Sequence, residues 1–164
     1  LSGGQNQRVM FAQGILCAPD LLIADEPTSS VDVALRKVIL DVIKSLSREM
    51  GMAVLLITHD FEVVRYICDR VVVMYGGLVM EEGPMDLVLG EPLHPYTEAL
   101  IKCASAMRGD TSDIYVLEGM PPTPAAFKDE CPFASRCSLK TAACLAKIPE
   151  MVISKGRKVR CVLY

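Results

Sequence analysis

The sequence lacks several features that would assign it to other classes of protein. It has no tryptophan, and aromatic residues make up only 5% of its 164 residues. It has no apolar run of 18 residues, and the densest stretch, residues 63–80, is interrupted by charges and glycines, so it cannot span a membrane. No secretory signal is visible and the first residue is leucine. We therefore expect a segment from the interior of a longer cytoplasmic chain. The net charge of −3 argues against a nucleic-acid partner.

The first residues carry a pattern that is typical of a helix start. Ser2 followed three residues later by Gln5 forms a capping box, which predicts a helix running to about Cys17. Gly3 and Gly4 leave the first amides of this helix open at the positive end of its dipole. Such an arrangement suits a phosphate, although a capped helix without a ligand explains the same residues equally well.

Two apolar strands are followed by polar side chains that suit phosphate chemistry. Leu21–Ala24 ends in Asp25 and Glu26, and Ala53–Thr58 ends at His59. In open α/β sheets the carboxyl ends of the strands bind ligands. There Asp25 could hold Mg²⁺ through water, and Glu26 could polarise an attacking water. A lone histidine more often packs than reacts, but the position directly after a buried strand favours a role for His59 in the site.

The remaining pattern places these residues in an alternating order of strands and helices. Apolar residues at helical spacing predict a long helix over Val31–Met50. Asp60 is the expected N-cap of a short helix over Phe61–Cys68. Two apolar runs around residues 76–77, both glycine, predict a β-hairpin with a primed turn. A further helix is expected over residues 95–107.

In this order, the segments resemble the motifs of the ABC-type ATPases. The resemblance implies an α/β fold of the P-loop NTPase type, with a mostly parallel sheet that is incomplete at its amino terminus and a small irregular extension that contains cysteines. Asn6 departs from the family pattern, since many relatives carry a basic residue there. The matching segments are Leu1–Gln5 (signature motif), Leu21–Glu26 (Walker B strand with its catalytic glutamate), Ser29–Asp32 (D-loop) and Thr58–Asp60 (switch-histidine loop).

The same resemblance implies ATP and Mg²⁺ as ligands and gives catalytic roles to Glu26 and His59. Asp25 would hold Mg²⁺ through water, and His59 would contact the γ-phosphate. The residues implied in nucleotide binding are Ser2, Gly3, Gly4, Gln5, Asp25 and Asp32. The phosphate-cradling pattern Gly-x-x-x-x-Gly-Lys-Ser/Thr does not occur in the chain. We therefore expect a carboxyl-terminal portion of a longer subunit, inactive and weak in nucleotide binding by itself.

The residues after position 83 resemble a more restricted set of proteins. We expect an ATPase part over residues 1–83 and an extension over residues 84–164. His94–Thr97 and Cys131–Phe133 resemble segments of the oligopeptide, dipeptide and nickel importers. The implied function is that of an ATP-hydrolysing subunit that powers peptide import, with a nickel importer or a non-transport ABC ATPase as alternatives. A metal-binding regulatory module with a degenerate ATPase half is a further alternative.

The resemblance also implies a set of partners. A second ABC ATPase subunit, identical or homologous, would close on this one so that Ser2, Gly3 and Gly4 reach the ATP of the partner. Transmembrane permease subunits would bind the pair directly, and an extracytoplasmic substrate-binding protein would act indirectly. The implied location is peripheral, at the cytoplasmic face of the membrane.

The carboxyl-terminal tail contains four of the seven cysteines within 31 residues. Their spacing, C-x5-C-x6-C-x16-C, lacks the short C-x2-C pair of common zinc sites. A cytoplasmic compartment disfavours stable disulfides, so the thiols could ligate an iron–sulfur cluster, ligate zinc, or simply pack. The tail resembles that of dipeptide-type importers, some of which hold a [4Fe–4S] cluster. The four are Cys131, Cys137, Cys144 and Cys161. The basic run at residues 155–160 is expected to be a solvated loop.

Overall fold

The computed structural model describes residues 3–29, 31–107, 116–120 and 129–164. They belong to two compact units, residues 1–68 and residues 69–164. The predicted division into an ATPase part over residues 1–83 and an extension over residues 84–164 stays a prediction. Ser2 lies outside the described residues. No helix within the described ranges has both the length and the apolar composition that crossing a bilayer requires.

The first unit alternates helices with two parallel strands. The strands pair in register from Leu21 opposite Ala53 to Asp25 opposite Ile57. Because the two strands are parallel, the residues that follow them meet at one edge of the sheet. The elements are α1 (Gly3–Ile15), β1 (Leu21–Asp25), α2 (Val33–Met50), β2 (Ala53–Ile57) and α3 (Phe61–Ile67).

Helix α2 follows the predicted pattern closely. Its apolar stripe buries Ile39, Leu40 and Ile43. Asp32 is its N-cap, and Gly51 ends it in the left-handed conformation with φ of 64°. Both ends of the helix therefore carry the local signals that terminate helices, and the predicted helix is confirmed.

The second unit contains a four-stranded antiparallel sheet in the order β3-β4-β6-β5. The predicted hairpin is confirmed, since β3 and β4 pair with Tyr75 opposite Leu78. The two glycines between them have φ of 57° and 78°, so both lie in the left-handed region that a type I′ turn requires. The elements of this unit are β3 (Arg70–Tyr75), β4 (Leu78–Pro84), α4 (Met85–Gly90), α5 (Pro95–Met107), α6 (Ala142–Ala146), β5 (Val152–Ser154) and β6 (Arg157–Val159), with a 3₁₀ turn at Ala134–Arg136.

The expectation of a solvated basic loop at residues 155–160 is wrong. These residues form the turn and second strand of the β5–β6 hairpin, and β6 pairs with β4. Arg157 is buried, and Arg160 donates to the carbonyl oxygens of Val79 and Pro149, at 2.9 Å in each case. The positive charges therefore bind within the second unit, which the local sequence did not indicate.

A buried ion pair joins β4 to β6. The side chains of Glu81 and Arg157 are 0% and 1% exposed, and Glu81 Oε1 lies 3.2 Å from Arg157 Nε. This contact is an ion pair without hydrogen-bond alignment at Nε. The Glu81 oxygens also accept hydrogen bonds from the backbone amides of Leu93 and His94, at 2.9 and 3.0 Å. The carboxylate thus fixes the segment that precedes α5.

The guanidinium of Arg157 fixes the other side of the same segment. Its two Nη groups donate to the carbonyl oxygens of Leu87 and Glu91, so it holds both α4 and the residue that follows it. Gly83 permits this close packing, because a Cβ at that position would lie only 2.6 Å from the Cβ of Arg157. One ion pair therefore connects two strands, a helix and a loop.

Candidate functional site

Glu26 and His59 are in direct contact at the edge of the parallel strands. Glu26 Oε1 accepts a hydrogen bond from the backbone amide of His59 at 3.1 Å and lies 2.7 Å from its Nδ1. The backbone of Glu26 is itself fixed, because its amide donates to the carbonyl oxygen of Ile57 at 2.9 Å. The two residues with predicted catalytic roles, 33 positions apart in the chain, are thus brought together by strand pairing.

The contact determines which atoms remain available for chemistry. An ionised carboxylate can only accept, so Nδ1 of His59 carries the proton when it meets Glu26 Oε1. The His59 side chain is 84% exposed, and its second nitrogen, Nε2, is left for a ligand. The hydrogen bonds of the Glu26 carboxylate to described residues all use Oε1, which leaves Oε2 for a water molecule. The pair therefore offers a proton acceptor, Oε2, beside a ring nitrogen, Nε2, that can donate to an anion when the imidazole carries both protons.

The backbone at Glu26 adopts an unusual conformation. Its φ is 44°, in the left-handed region that residues other than glycine rarely adopt. Ser29 supports this turn by donating to the Glu26 carbonyl oxygen from its amide at 3.2 Å and from its hydroxyl at 3.0 Å. Pro27 and Thr28 are buried directly after it. The turn is thus held in place from both sides.

Asp25 lies beside this pair with its side chain exposed. It is the last residue of β1 and pairs in register with Ile57 of β2. An exposed carboxylate at the carboxyl end of a parallel strand can bind a hydrated Mg²⁺, which prefers carboxylates together with water and phosphate oxygens. Its position fits the predicted water-mediated metal contact, and that role stays a prediction.

The other predicted nucleotide-binding residues lie at helix starts. Asp32 caps α2, and its Oδ1 accepts from the amide of Leu35 at 2.8 Å. Gly3, Gly4 and Gln5 lie in the first turn of α1. The helix that the sequence predicted there is confirmed, and phosphate binding by its first turn stays a prediction.

Sequence reasoning missed two side chains that hold the loop carrying His59. The backbone amide of Asp60 donates to Thr58 Oγ1 at 3.1 Å. The Asp60 carboxylate forms an ion pair with Arg36 of α2. The predicted N-cap role of Asp60 is confirmed, because its Oδ1 accepts from the amide of Glu62 at 2.9 Å. The only sequence signal for Arg36 is its position one helical turn after Asp32.

The four tail cysteines line one small cavity in the second unit. Its volume is about 10 Å³, and other lining residues include His94 and Phe133. The backbone holds two of the cysteines together, since the amide of Cys131 donates to the carbonyl oxygen of Cys144 at 2.8 Å. These two are buried, and both belong to the apolar core with Tyr75, Met80, Phe133 and Ala134.

The thiols of this cavity do not form a ready metal site. Burial raises the pKa of Cys131, Cys137 and Cys161 above the ordinary thiol value, which favours the protonated form over the thiolate that binds metals. Within the described ranges, no group of three or more His, Cys, Asp or Glu side chains is arranged to hold a metal ion. The cavity has room for about one water molecule, which is too little for a four-iron cluster. The donor set suits a cluster, but the size of the cavity and the protonated form of the thiols do not.

His94 is buried beside this cavity in a neutral form. Its Nδ1 accepts from the amide of Tyr96 at 3.0 Å, so the ring proton lies on Nε2. Burial lowers the pKa of His94 from 6.5 to about 4, and a hydrogen bond to the backbone of Arg160 opposes this only in part. Its ring lies 6.0 Å from that of Phe133, within an aromatic cluster that also contains Tyr75 and Tyr96.

The depressed pKa of His94 predicts a loss of stability in acid. The unfolded chain binds this proton more readily than the folded chain, so the contribution is complete above pH 6.5 and is lost as the pH falls towards 4. The loss should approach about 3 kcal/mol of the free energy of unfolding. Urea unfolding of wild type and His94→Asn between pH 7.5 and 4.5 measures it, because Asn can still accept from the Tyr96 amide but does not titrate. Parallel curves for the two proteins would contradict the prediction.

Comparisons with known proteins agree with the motifs and the fold. A family model for ABC transporters matches residues 1–29, and one for the oligopeptide/dipeptide transporter C-terminal region matches residues 80–144. The oligopeptide transport ATP-binding protein AppD of Bacillus subtilis is 43% identical over 165 residues, which cover 100% of this chain and 50% of that protein. The oligopeptide transport ATP-binding protein OppD of Haemophilus influenzae is 41% identical over 162 residues, which cover 99% of this chain and 50% of that protein.

A solved structure of an inward-facing metal-chelate type ABC transporter superposes with a TM-score of 0.53 and 26% identity, over 62% of this chain and 38% of that one. The predicted α/β fold of the ABC ATPase type is confirmed. The chain therefore contains one segment that matches the ABC transporter family and a second segment that matches the oligopeptide/dipeptide transporter C-terminal region. It spans about half the length of the curated relatives it matches.

Proposed function

We propose that this chain is part of an ATP-binding subunit that hydrolyses ATP to power the import of peptides across the cytoplasmic membrane. The observation that carries the proposal is the contact between Glu26 and His59 at the carboxyl ends of two parallel strands. It occurs in a chain that is 43% identical to an oligopeptide transport ATP-binding protein. The names of the relatives favour peptides over nickel as the transported substrate.

Three side chains divide the chemistry in this proposal. Oε2 of Glu26 accepts the proton of the attacking water, while Oε1 stays bonded to His59. Nε2 of His59 contacts the γ-phosphate and orients it. Asp25 holds Mg²⁺ through water, and the ion would offset charge on the phosphate oxygens. The protein contributes mainly position and charge, which is what phosphoryl transfer requires.

The first turn of α1 serves the nucleotide of a second ATPase subunit in this proposal. Ser2, Gly3, Gly4 and Gln5 would bind the γ-phosphate held by the partner, because the start of a helix attracts anions. Asp32 orders the start of α2 at the same interface through its cap. The pair, identical or homologous, closes when both nucleotides are bound.

Closure of this pair moves the transmembrane permease subunits between their inward-facing and outward-facing states. The subunit is thus peripheral, bound at the cytoplasmic face of the membrane through the permeases. A substrate-binding protein on the other side delivers the peptide and contacts the subunit only indirectly. Nucleic acid has no part in this cycle.

Reconstitution of the full-length subunit with its permeases in liposomes tests the proposal. We expect ATP-dependent uptake of a labelled peptide in the presence of the substrate-binding protein and no uptake of ⁶³Ni. Liposomes that contain the Glu26→Gln subunit are the inactive control. Uptake of nickel without peptide, or ATP hydrolysis that needs no permease and transports nothing, would contradict it.

We also propose that the four tail cysteines hold a [4Fe–4S] cluster in the assembled subunit. The support is the shared cavity of Cys131, Cys137, Cys144 and Cys161, together with the preference of iron–sulfur clusters for four thiolates. Cluster binding would require the thiols to lose their protons and the cavity that they line to widen. We assign the cluster a structural or sensing role and no part in ATP hydrolysis.

Metal and sulfide analysis of anaerobically purified full-length subunit tests this second proposal. We expect about four irons and four sulfides per chain, as a cubane cluster contains. Cys137→Ser should lose the iron, whereas Cys17→Ser should keep it, because Cys17 is exposed in the first unit. A zinc-only protein would make the tail a structural clip, and a metal-free one would make the cysteines part of the apolar core.

A further inference from the structure

The loop that carries His59 is tied to helix α2 by one ion pair. Nη1 of Arg36 binds Oδ2 of Asp60, and the two side chains are only 31% and 26% exposed. The two residues are 24 positions apart, so the contact joins separate elements. Since it is partly shielded from solvent, the pair restrains the loop more firmly than a fully exposed one would.

Both oxygens of Asp60 are in use. Oδ1 caps α3 by accepting from the amides of Glu62 and Val63 at 2.9 and 3.4 Å, and Oδ2 binds Arg36. The residue before Asp60 is His59, whose amide and ring both meet Glu26. A shift of the Asp60 backbone would therefore change the distance between His59 and Glu26.

The other end of this connection is the start of α2. Asp32 caps the helix, and its carbonyl oxygen accepts from the amide of Arg36 at 2.9 Å, one turn later. Arg36 thus lies at the end of the first turn of α2, the helix that begins at the predicted D-loop. The start of α2 and the loop of His59 are connected through a single side chain.

We propose that Arg36 is a positioning residue, which holds His59 against Glu26 by restraining Asp60. It does not touch the nucleotide. The inference rests on the proposed function, because it concerns the rate of ATP hydrolysis. Its consequence is that the start of α2, which would lie at the interface with the second subunit, controls the placement of the histidine.

The same helix pair contains a matched contact far from His59. The hydroxyl of Tyr66 in α3 donates to Asp41 Oδ1 in α2, and Lys44 lies over the Tyr66 ring at 5.3 Å. Like the Arg36 pair, this contact braces α2 against α3, but it lies at the other end of α3. Tyr66→Phe therefore removes a brace of the same kind without touching the loop.

The test compares ATP hydrolysis by the full-length subunit, assembled with its permeases, for matched variants. We expect Arg36→Gln to lower kcat by about 10- to 100-fold with KM for ATP unchanged, since small misplacements of catalytic groups cost up to that much. Asp60→Asn should lower kcat equally, because asparagine still caps α3 but loses the charge. The double variant should be no slower than either single variant, since both changes break one interaction.

Two further variants separate positioning from simple bracing. Arg36→Lys should recover part of kcat, because it keeps the charge but not the planar geometry of the guanidinium. Tyr66→Phe should lower the melting temperature and leave kcat unchanged. Equal losses of kcat in Tyr66→Phe and Arg36→Gln, or additive losses in the double variant, would overturn the inference.

The failure of this inference can be distinguished from that of the proposed function. If wild type hydrolyses ATP and Glu26→Gln does not, but Arg36→Gln and Asp60→Asn keep the wild-type kcat, only the role of Arg36 is wrong. If hydrolysis by wild type is absent or does not depend on Glu26, the proposed function fails, and the role of Arg36 fails with it.

Discussion

The Glu26→Gln variant of the full-length subunit should hydrolyse ATP about 100- to 10,000-fold more slowly than wild type, the range that loss of a positioned general base produces. Glutamine has nearly the same size, and its amide oxygen can still accept from the amide and ring of His59. Glutamine cannot take a proton from water in place of Oε2, because an NH₂ group stands at that position. The expected loss therefore concerns the chemical step and not the geometry of the site.

Nucleotide binding should survive the same substitution. We expect the affinity for Mg-ATP to be close to that of wild type, so that the variant accumulates in the ATP-bound state. Single-turnover hydrolysis and binding of a fluorescent ATP analogue measure the two steps separately. Glu49→Gln is the matched control, because it makes the same chemical change at an exposed position of α2. Hydrolysis by Glu26→Gln at the wild-type rate would show that another group accepts the proton.

Replacing Arg157 by methionine should cost about 3–5 kcal/mol of the free energy of unfolding, because it leaves the Glu81 carboxylate buried without its charged partner. Glu81 is fully buried, so water cannot hydrogen-bond to its carboxylate in place of Arg157. The backbone carbonyl oxygens of Leu87 and Glu91 would lose their donors as well. Urea unfolding of the chain at pH 7 measures the loss.

The neighbouring ion pair provides the control for this prediction. Glu82 and Lys158 follow directly in the same two strands, with Oε2 and Nζ 3.3 Å apart, and the lysine is half exposed. Lys158→Met should therefore cost less than about 1 kcal/mol, as is usual for exposed pairs. If Arg157→Met is no more destabilising than Lys158→Met, the buried pair does not hold the second unit together.

The sequence predicted the elements whose signals are local. Helix α2 has a clear apolar stripe and a terminating Gly51. The β3–β4 hairpin has two glycines suited to its turn, and Asp60 is a residue type that commonly caps helices. The sequence also predicted that Glu26 and His59 lie near each other, because the two parallel strands that precede them end at one edge of the sheet. These features depend on residues close in sequence or on one strand pairing.

The sequence could not predict the features that depend on distant partners. Strands β5 and β6 have only three residues each, too few to show an alternating pattern, and β6 is positioned by pairing with β4. Arg157 appeared as one charge of a basic run because its partner, Glu81, lies 76 positions earlier. The Arg36–Asp60 pair was missed for the same reason. The sequence therefore predicts the helices and strands better than the side-chain contacts that join them.

The left-handed backbone at Glu26 lowers the stability of the turn that follows β1. A residue with a Cβ in that conformation costs about 1 kcal/mol relative to glycine, which adopts it freely. A chain selected for stability alone would carry glycine or asparagine after β1, and the turn that Ser29 supports would fold more readily. The strain at this turn thus accompanies the placement of a carboxylate at the end of β1, and Glu26→Gly would relieve the strain only by removing that carboxylate.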